Sequence, residues 1–81
     1  MTITVLLFAQ ARELAGESRV TLELPEGARG DDVRAAMVRA YPGLAPLAPH
    51  LAVAVNGALD AGRTPVPRDA EVALLPPVSG G

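Results

Sequence analysis

The 81-residue sequence has no cysteine, no lysine and only two aromatic residues, Phe8 and Tyr41. Without cysteine the chain can form neither a disulfide nor a thiolate metal site, and it has no thiol nucleophile. The single histidine, His50, has no companion ligands at the spacing of a zinc site. Because 49% of the residues are hydrophobic, we expect a globular chain that is stabilised by packing and holds no metal.

Positive charge is also scarce and dispersed. The seven basic residues, all arginine, are scattered along the chain and are outnumbered by nine acidic residues. Nucleic-acid binding usually requires a basic stripe and often stacking aromatics, so we expect no nucleic-acid partner. No segment approaches the roughly 18 apolar residues of a membrane span, and the apolar start lacks the positive region of a signal peptide. We therefore expect a cytoplasmic protein without membrane contact.

Catalytic motifs are missing as well. The sequence contains no G-x-S-x-G elbow, no phosphate-binding P-loop and no H-E-x-x-H. Ser18 and Ser79 have only His50 as a base, far away in sequence, and the carboxylates of Asp31 and Asp32 are better explained by a helix N-terminus. This inventory argues against an enzyme that works alone.

The N-terminal part of the pattern predicts strand, short helix, strand. Residues 2–8 are rich in β-branched residues, residues 9–16 form a short helix ended by Gly16, and residues 18–25 alternate between apolar and polar. The predicted inward residues of the two strands are Ile3, Val5, Leu7, Val20, Leu22 and Leu24, and the outward ones are Leu6, Phe8, Arg19, Thr21 and Glu23.

The main helix is predicted over residues 31–41, with Asp31 as its N-cap and Asp32 at the positive end of the helix dipole. Residues 41–50 are too rich in proline for a long helix and predict an irregular crossover. The expected buried stripe of the helix is Val33, Ala36, Met37 and Ala40, and the expected outward residues are Arg34 and Arg39.

Two further strands are predicted in the C-terminal part. Residues 51–55 form a strand that is closed by an Asn56-Gly57 turn, and the loop over residues 58–69 contains a very short strand around Leu59. The last strand lies in the segment AEVALLPP, which begins at Ala70 after this loop, and its alternation places Val72 and Leu74 inward and Ala73 and Leu75 outward.

This order of elements predicts an α+β domain with one main helix packed across a small mixed sheet. The first and last strands are the most hydrophobic on both faces, so we expect them side by side at the sheet centre. The pattern fits a ubiquitin-like β-grasp fold, and it also allows a ferredoxin-like relative. We expect residues 1–81 to form a single domain, with residues 76–81 as an extended functional tail.

The tail is the most informative segment of the sequence. Pro76 and Pro77 remove backbone donors and favour extended geometry, so they direct the chain away from the sheet. Val78 and Ser79 can make specific contacts, whereas Gly80-Gly81 have no side chains to block entry into a narrow tunnel. Six extended residues reach roughly 20 Å. The tail could therefore deliver the Gly81 carboxylate into the interior of another protein.

A carboxylate is ionised and electrophilically inert at neutral pH, so it must first be activated. An acyl-adenylate made with ATP provides the leaving group. A sulfur nucleophile would then displace AMP and leave a thiocarboxylate, whereas an amine would leave an isopeptide. The residues alone allow both outcomes.

Three segments resemble the small, sulfur-carrier subunit of molybdopterin synthase. These are LFAQARELAG near the start, VAVNG in the middle and EVALLPPVSGG at the end, of which the terminal P-P-V-S-G-G is the most specific. The F-A-x-x-R-E segment, Phe8 to Glu13, supports the resemblance independently. Family members usually carry D-G-D-E-V before the last strand, and here Arg68 and Ala70 depart from that pattern, so the resemblance does not define this turn.

The resemblance implies the β-grasp fold and a sequence of partners. An activating enzyme would use ATP to adenylate Gly81, and a sulfur donor protein would convert it to a thiocarboxylate. The tail would then enter the large subunit of a heterotetrameric synthase and transfer its sulfur to cyclic pyranopterin monophosphate. The catalytic pocket would belong to the large subunit, and this chain would bind no cofactor itself.

The resemblance also implies that the apolar outward residues Phe8, Leu59 and Leu75 form a partner-binding surface. The tail residues would bind the partner as well, namely Pro76, Pro77, Val78, Ser79 and Gly80. Arg12 is either a polar contact to a partner or a solvated helix residue.

Three alternative functions remain. The chain could carry sulfur for thiamine synthesis or tRNA thiolation, it could be a ubiquitin-like protein modifier, or it could be an interaction module with an inert tail.

Overall fold

Residues 1–60 and 62–77 are described by a computed structural model, in which five strands and two α-helices are formed. The strands are β1 (Thr2–Leu7), β2 (Arg19–Glu23), β3 (Ala52–Val55), β4 (Ala58–Asp60) and β5 (Glu71–Leu75), and the helices are α1 (Ala9–Ala15) and α2 (Gly30–Ala40). Two short 3₁₀ turns, Pro42–Leu44 and Ala48–His50, lie between α2 and β3.

The strands form one mixed sheet in the order β2-β1-β5-β3-β4. The first and last strands are parallel neighbours, and every other pairing is antiparallel. The prediction that these two strands lie together near the sheet centre is therefore confirmed. Their inward residues, Ile3, Val5, Leu7, Val72 and Leu74, are all at most 1% exposed.

Helix α2 packs on the inner face of the sheet and buries Val33, Ala36 and Met37, as the pattern predicts. Ala40, the fourth predicted residue of the stripe, is exposed, so that part of the prediction is wrong. The helix ends at Ala40 and the chain turns at Tyr41. Leu44 and Leu47 of the crossover complete the core after the helix ends.

The start of α2 also differs from the prediction. Arg29, in extended conformation, precedes the first helical residue, Gly30, so Asp31 is not the N-cap. Arg29 is the N-cap residue, and Asp32 supplies the capping hydrogen bond, because its Oδ2 accepts the Arg29 backbone N–H at 2.8 Å. The Asp31 carboxylate pairs with Arg34 at 3.2 Å, and the Arg34 side chain, which the pattern predicted to point into solvent, is half-buried.

Two turns fix the ends of the central strands. Asn56 and Gly57 adopt φ values of 48° and 84°, which is the geometry of the two-residue hairpin that the sequence predicts. Before β5, the Ala70 N–H donates to the Pro67 carbonyl at 3.2 Å, and Asp69 takes the left-handed φ of 57°. Ala70 is buried in this turn, which explains a small apolar residue at that position.

Because β2 pairs directly with β1 and α2 crosses the sheet before β3, the topology is that of a β-grasp. A ferredoxin-like sheet places a helical crossover between its first two strands and does not pair them as neighbours. The predicted α+β fold class with one main helix is therefore confirmed, with α1 as a short additional helix.

Candidate functional site: the outer sheet face and the start of the tail

The outer face of the sheet, opposite α2, carries a continuous row of apolar side chains. The strand registers pair Leu6 with Ala73, Ala73 with Ala54, and Ala54 with Leu59, so these four residues form one line across β1, β5, β3 and β4. Cross-strand neighbours on one face of a sheet lie within side-chain contact. The row is therefore a single surface that spans four strands.

A second apolar row runs beside the first. Leu75 pairs with Ala52 of β3. Leu7 of β1 pairs with Leu74 of the parallel strand β5, so the next residues along the two strands, Phe8 and Leu75, also lie side by side. Leu59 is 75% exposed and Phe8 44% exposed, whereas Leu75 is half-buried. We call the two rows together the apolar half of the outer face; it consists of Leu6, Phe8, Ala52, Ala54, Leu59, Ala73 and Leu75.

The rest of the outer face is polar. Thr21, Thr4 and Glu71 form the next row, and Thr2 and Glu23 the row after it. The Thr2 hydroxyl donates to the Glu23 carboxylate, and Arg19 reaches over β1 to Glu71 at 3.8 Å. The boundary between the two halves therefore lies between Leu6 and Thr4 along β1. A surface divided in this way has one side suited to a protein partner and one suited to water.

The tail begins at the apolar half. Strand β5 ends at Leu75, after which Pro76 is half-buried and Pro77 exposed. Val78, Ser79, Gly80 and Gly81 lie outside the described residues, so the predicted tail contacts and the predicted working group at Gly81 stay predictions. The central position of β5 means that the chain leaves the sheet between Phe8 and Ala52, within the apolar half.

An apolar groove extends the apolar half around the edge strand β4. It has a volume of about 260 Å³ and is lined chiefly by Val55, Leu59, Pro65 and Pro67. Leu59 belongs to both surfaces.

The alternation of the strands predicted that Leu6 and Ala73 point outward. The contribution of Ala52 and Ala54 to the apolar half was missed, because their position depends on the pairing of β3 with both β4 and β5.

The described residues offer little for catalysis. Ser18 and His50 are both exposed, and Arg12 is exposed on α1. Across residues 1–60 and 62–77 no three histidine, aspartate or glutamate side chains are grouped as a metal ion would require. Among the helices of the same residues, none is long and apolar enough to cross a membrane. The chemistry that the described surface supports is protein docking.

A β-grasp domain with an apolar sheet face at the root of a Gly-Gly tail is a ubiquitin-like protein by class. The chain belongs to the ThiS family, whose model matches residues 5–81. It is 37% identical, over an 86-residue alignment that covers all of both chains, to the molybdopterin synthase sulfur carrier subunit of Chlamydomonas reinhardtii. The subunit of the same name from Arabidopsis thaliana is 35% identical, with 98% of this chain and 82% of the relative covered.

Solved structures agree on the fold. SAMP1 from Haloferax volcanii superposes with a TM-score of 0.89 at 31% identity, with both chains covered completely. A complex of subunits 1 and 2 of the molybdopterin-converting factor from Helicobacter pylori contains a chain that matches with a TM-score of 0.71 at 27% identity, again over the full length of both. A further structure, the small archaeal modifier protein 1 of H. volcanii, matches with a TM-score of 0.84 at 29% identity, covering 95% of this chain and 98% of that one.

Proposed function

We propose that this chain is the sulfur-carrier subunit of a molybdopterin synthase. The observation that carries the proposal is the juxtaposition of an apolar docking face with the root of a tail that ends in Gly80-Gly81. The names of the curated relatives, which match the chain over its whole length, support it. The complex of the H. pylori subunits supports a large-subunit partner.

The proposed reaction places all of this chain's chemistry at the Gly81 carboxylate. An activating enzyme joins that carboxylate to the α-phosphate of ATP, which releases pyrophosphate and leaves an acyl-adenylate. The sulfur of a donor protein then attacks the carbonyl carbon and AMP departs. With the outer sulfur of a persulfide as the attacking atom, the product is an acyl disulfide. A thiol then attacks the donor's inner sulfur and forms a disulfide with it, and the thiocarboxylate on Gly81 is released. Each cycle therefore converts one terminal oxygen to sulfur at the cost of one ATP.

In the next step the described residues bind the large subunit and direct the tail into it. Burial of the apolar half against the large subunit provides affinity, because about 25 cal/mol is gained per Å² of apolar surface removed from water. Pro76 and Pro77 stiffen the start of the tail, which lowers the entropy lost when it enters the partner. The thiocarboxylate sulfur is then transferred to cyclic pyranopterin monophosphate, and two such transfers supply the dithiolene sulfurs.

Intact mass spectrometry tests the proposal. The full chain is incubated with ATP, its activating enzyme and a sulfur source, and we expect a mass gain equal to the replacement of one oxygen by sulfur, located on Gly81. The control lacks Gly81; it should show no gain and transfer no sulfur, while its thermal unfolding midpoint stays nearly unchanged. Absence of the mass gain with an activating enzyme proven active would refute the proposal.

Protein modification is a second candidate function, favoured by the similarity to small archaeal modifier protein 1. Here the amine of a target lysine would displace AMP from the adenylate and form an isopeptide. The last basic residue of this chain is Arg68. Trypsin would therefore leave residues 69–81 attached to each modified lysine, and this remnant identifies conjugation by mass. A thiocarboxylate without any such remnant would leave sulfur transfer as the function.

A further inference from the structure

The edge strand β2 has an exposed row of backbone groups. In its pairing with β1, the N–H of Leu24 donates to Met1 and the N–H of Leu7 donates to the Ser18 carbonyl. Hydrogen-bonded pairs alternate along an antiparallel ladder, so Val20 and Leu22 also direct their backbone groups at β1. The backbone N–H and C=O groups of Arg19, Thr21 and Glu23 therefore point away from the sheet, and the inter-element backbone hydrogen bonds of the described residues use none of them.

This edge is complementary to itself. When two copies of β2 are placed antiparallel about a two-fold axis through Thr21, Arg19 of each strand lies opposite Glu23 of the other. The three residues with outward backbone groups then pair only with one another, which gives six inter-strand hydrogen bonds. On the outer face the register creates two Arg–Glu pairs, and on the inner face Val20 meets Leu22 twice.

Other registers lack this agreement. A parallel arrangement, or an antiparallel one centred on Arg19 or on Glu23, sets like charges directly opposite each other, which is destabilising. Centring on Val20 or Leu22 loses both ion pairs. Val20 and Leu22 are half-buried at the edge of the core, so the Thr21-centred register also covers apolar surface that the isolated chain leaves in water.

We propose that this chain forms a two-fold symmetric homodimer through β2, in which two five-stranded sheets join into one of ten strands. The ion pair of Arg19 with Glu71 does not oppose this, because both side chains are more than half exposed and 3.8 Å apart, and such pairs contribute little. The dimer contact lies at the polar edge of the outer face. It leaves Leu59, Leu75 and Pro77 of each copy accessible, and it does not rest on the proposed function.

The contact is small, so the dimer should be weak and should appear only at high concentration. Sedimentation velocity on the full chain between about 10 μM and about 1 mM should show a growing dimer fraction. Hydrogen exchange followed by NMR locates the contact, because the amides of Arg19, Thr21 and Glu23 should gain protection as concentration rises. A chain that stays monomeric throughout, or a dimer in which these three amides exchange unchanged, overturns the proposal.

Charge reversal tests the register. Glu23→Arg sets arginines opposite each other at both symmetry-related positions, and Arg19→Glu does the same with glutamates, so each should weaken dimerisation at least about tenfold. The double variant Arg19→Glu/Glu23→Arg restores both pairs and should return dimerisation to within a few-fold of the parent chain. The matched control Glu13→Arg, an exposed charge reversal on α1, should have no effect. Failure of the double variant to recover, while its unfolding midpoint is normal, rejects this register.

Discussion

Gly30 and Gly62 meet where α2 begins. A Cβ added to Gly30 would lie 2.9 Å from the Cα of Gly62, and it would also approach the side chains of Val53 and Asp60. The N–H of Asp31 donates to the Gly62 carbonyl at 3.0 Å, which holds the two segments together. The first turn of the main helix is therefore packed directly on the backbone of the loop that follows β4.

Replacement of Gly30 by alanine should destabilise the fold. Alanine is a better helix former than glycine by about 1 kcal/mol, but the added methyl group collides with backbone that cannot rotate away. Overpacking of this kind costs about 1–3 kcal/mol, so we expect a net loss of roughly 1 kcal/mol in the free energy of unfolding. Urea denaturation measures it. A variant as stable as the parent chain would show that the helix and the loop can move apart to make room for the added methyl group.

The N-terminus of α2 gives a second prediction, because Asp31 and Asp32 have different roles there. Asp32→Ala removes the acceptor of the Arg29 N–H and should lower the free energy of unfolding by about 1 kcal/mol. Asp31→Ala is the control, since it removes the same charge from the same helical turn but no hydrogen bond to the backbone. It loses only the ion pair of the exposed Asp31 with the half-buried Arg34, and should cost less, about 0.5 kcal/mol. If Asp31→Ala lowered the free energy of unfolding more than Asp32→Ala, the capping hydrogen bond would belong to Asp31.

The difference between these two aspartates shows where prediction from sequence ends. Both fit the local pattern of a helix start, and their roles differ because the helix begins one residue earlier than predicted, at Gly30, which packs against Gly62, a residue distant in sequence. In contrast, the alternation of Val72, Ala73 and Leu74 needs only local periodicity, and it was confirmed. Strand faces could therefore be predicted, whereas contacts that depend on how distant segments meet could not.

The candidate site follows the same division. The outward position of Leu75 could be predicted from the alternation of the last strand. The row that joins Leu6 to Leu59 through Ala73 and Ala54 could not, because a row across a sheet is defined by strand order and register. Alanines become part of an apolar surface only when their neighbours in space are known.

Asn56 links the hairpin turn to the start of β5, and substitutions there should separate two effects. Its Oδ1 accepts the Glu71 N–H at 3.0 Å while its backbone holds a positive φ of 48°. Asn56→Gly removes only the hydrogen bond and should cost about 1 kcal/mol. Asn56→Ala adds the strain of a left-handed alanine, so its cost should be larger by about 1–2 kcal/mol. Equal losses for the two variants in thermal or urea unfolding would mean that backbone conformation contributes nothing here.

Leu59 and Leu14 form a matched pair for the docking face, because both are exposed leucines and only Leu59 belongs to the apolar half. Under the proposed function, Leu59→Ser should weaken binding to the large subunit by about tenfold, which corresponds to about 1.4 kcal/mol for the loss of a large apolar side chain from the interface. Its stability should hardly change, because the side chain is 75% exposed in the isolated chain. Leu14→Ser, on α1, should leave the affinity unchanged in the same calorimetric titration. If Leu14→Ser weakened binding and Leu59→Ser did not, the partner would contact α1 and not the outer sheet face.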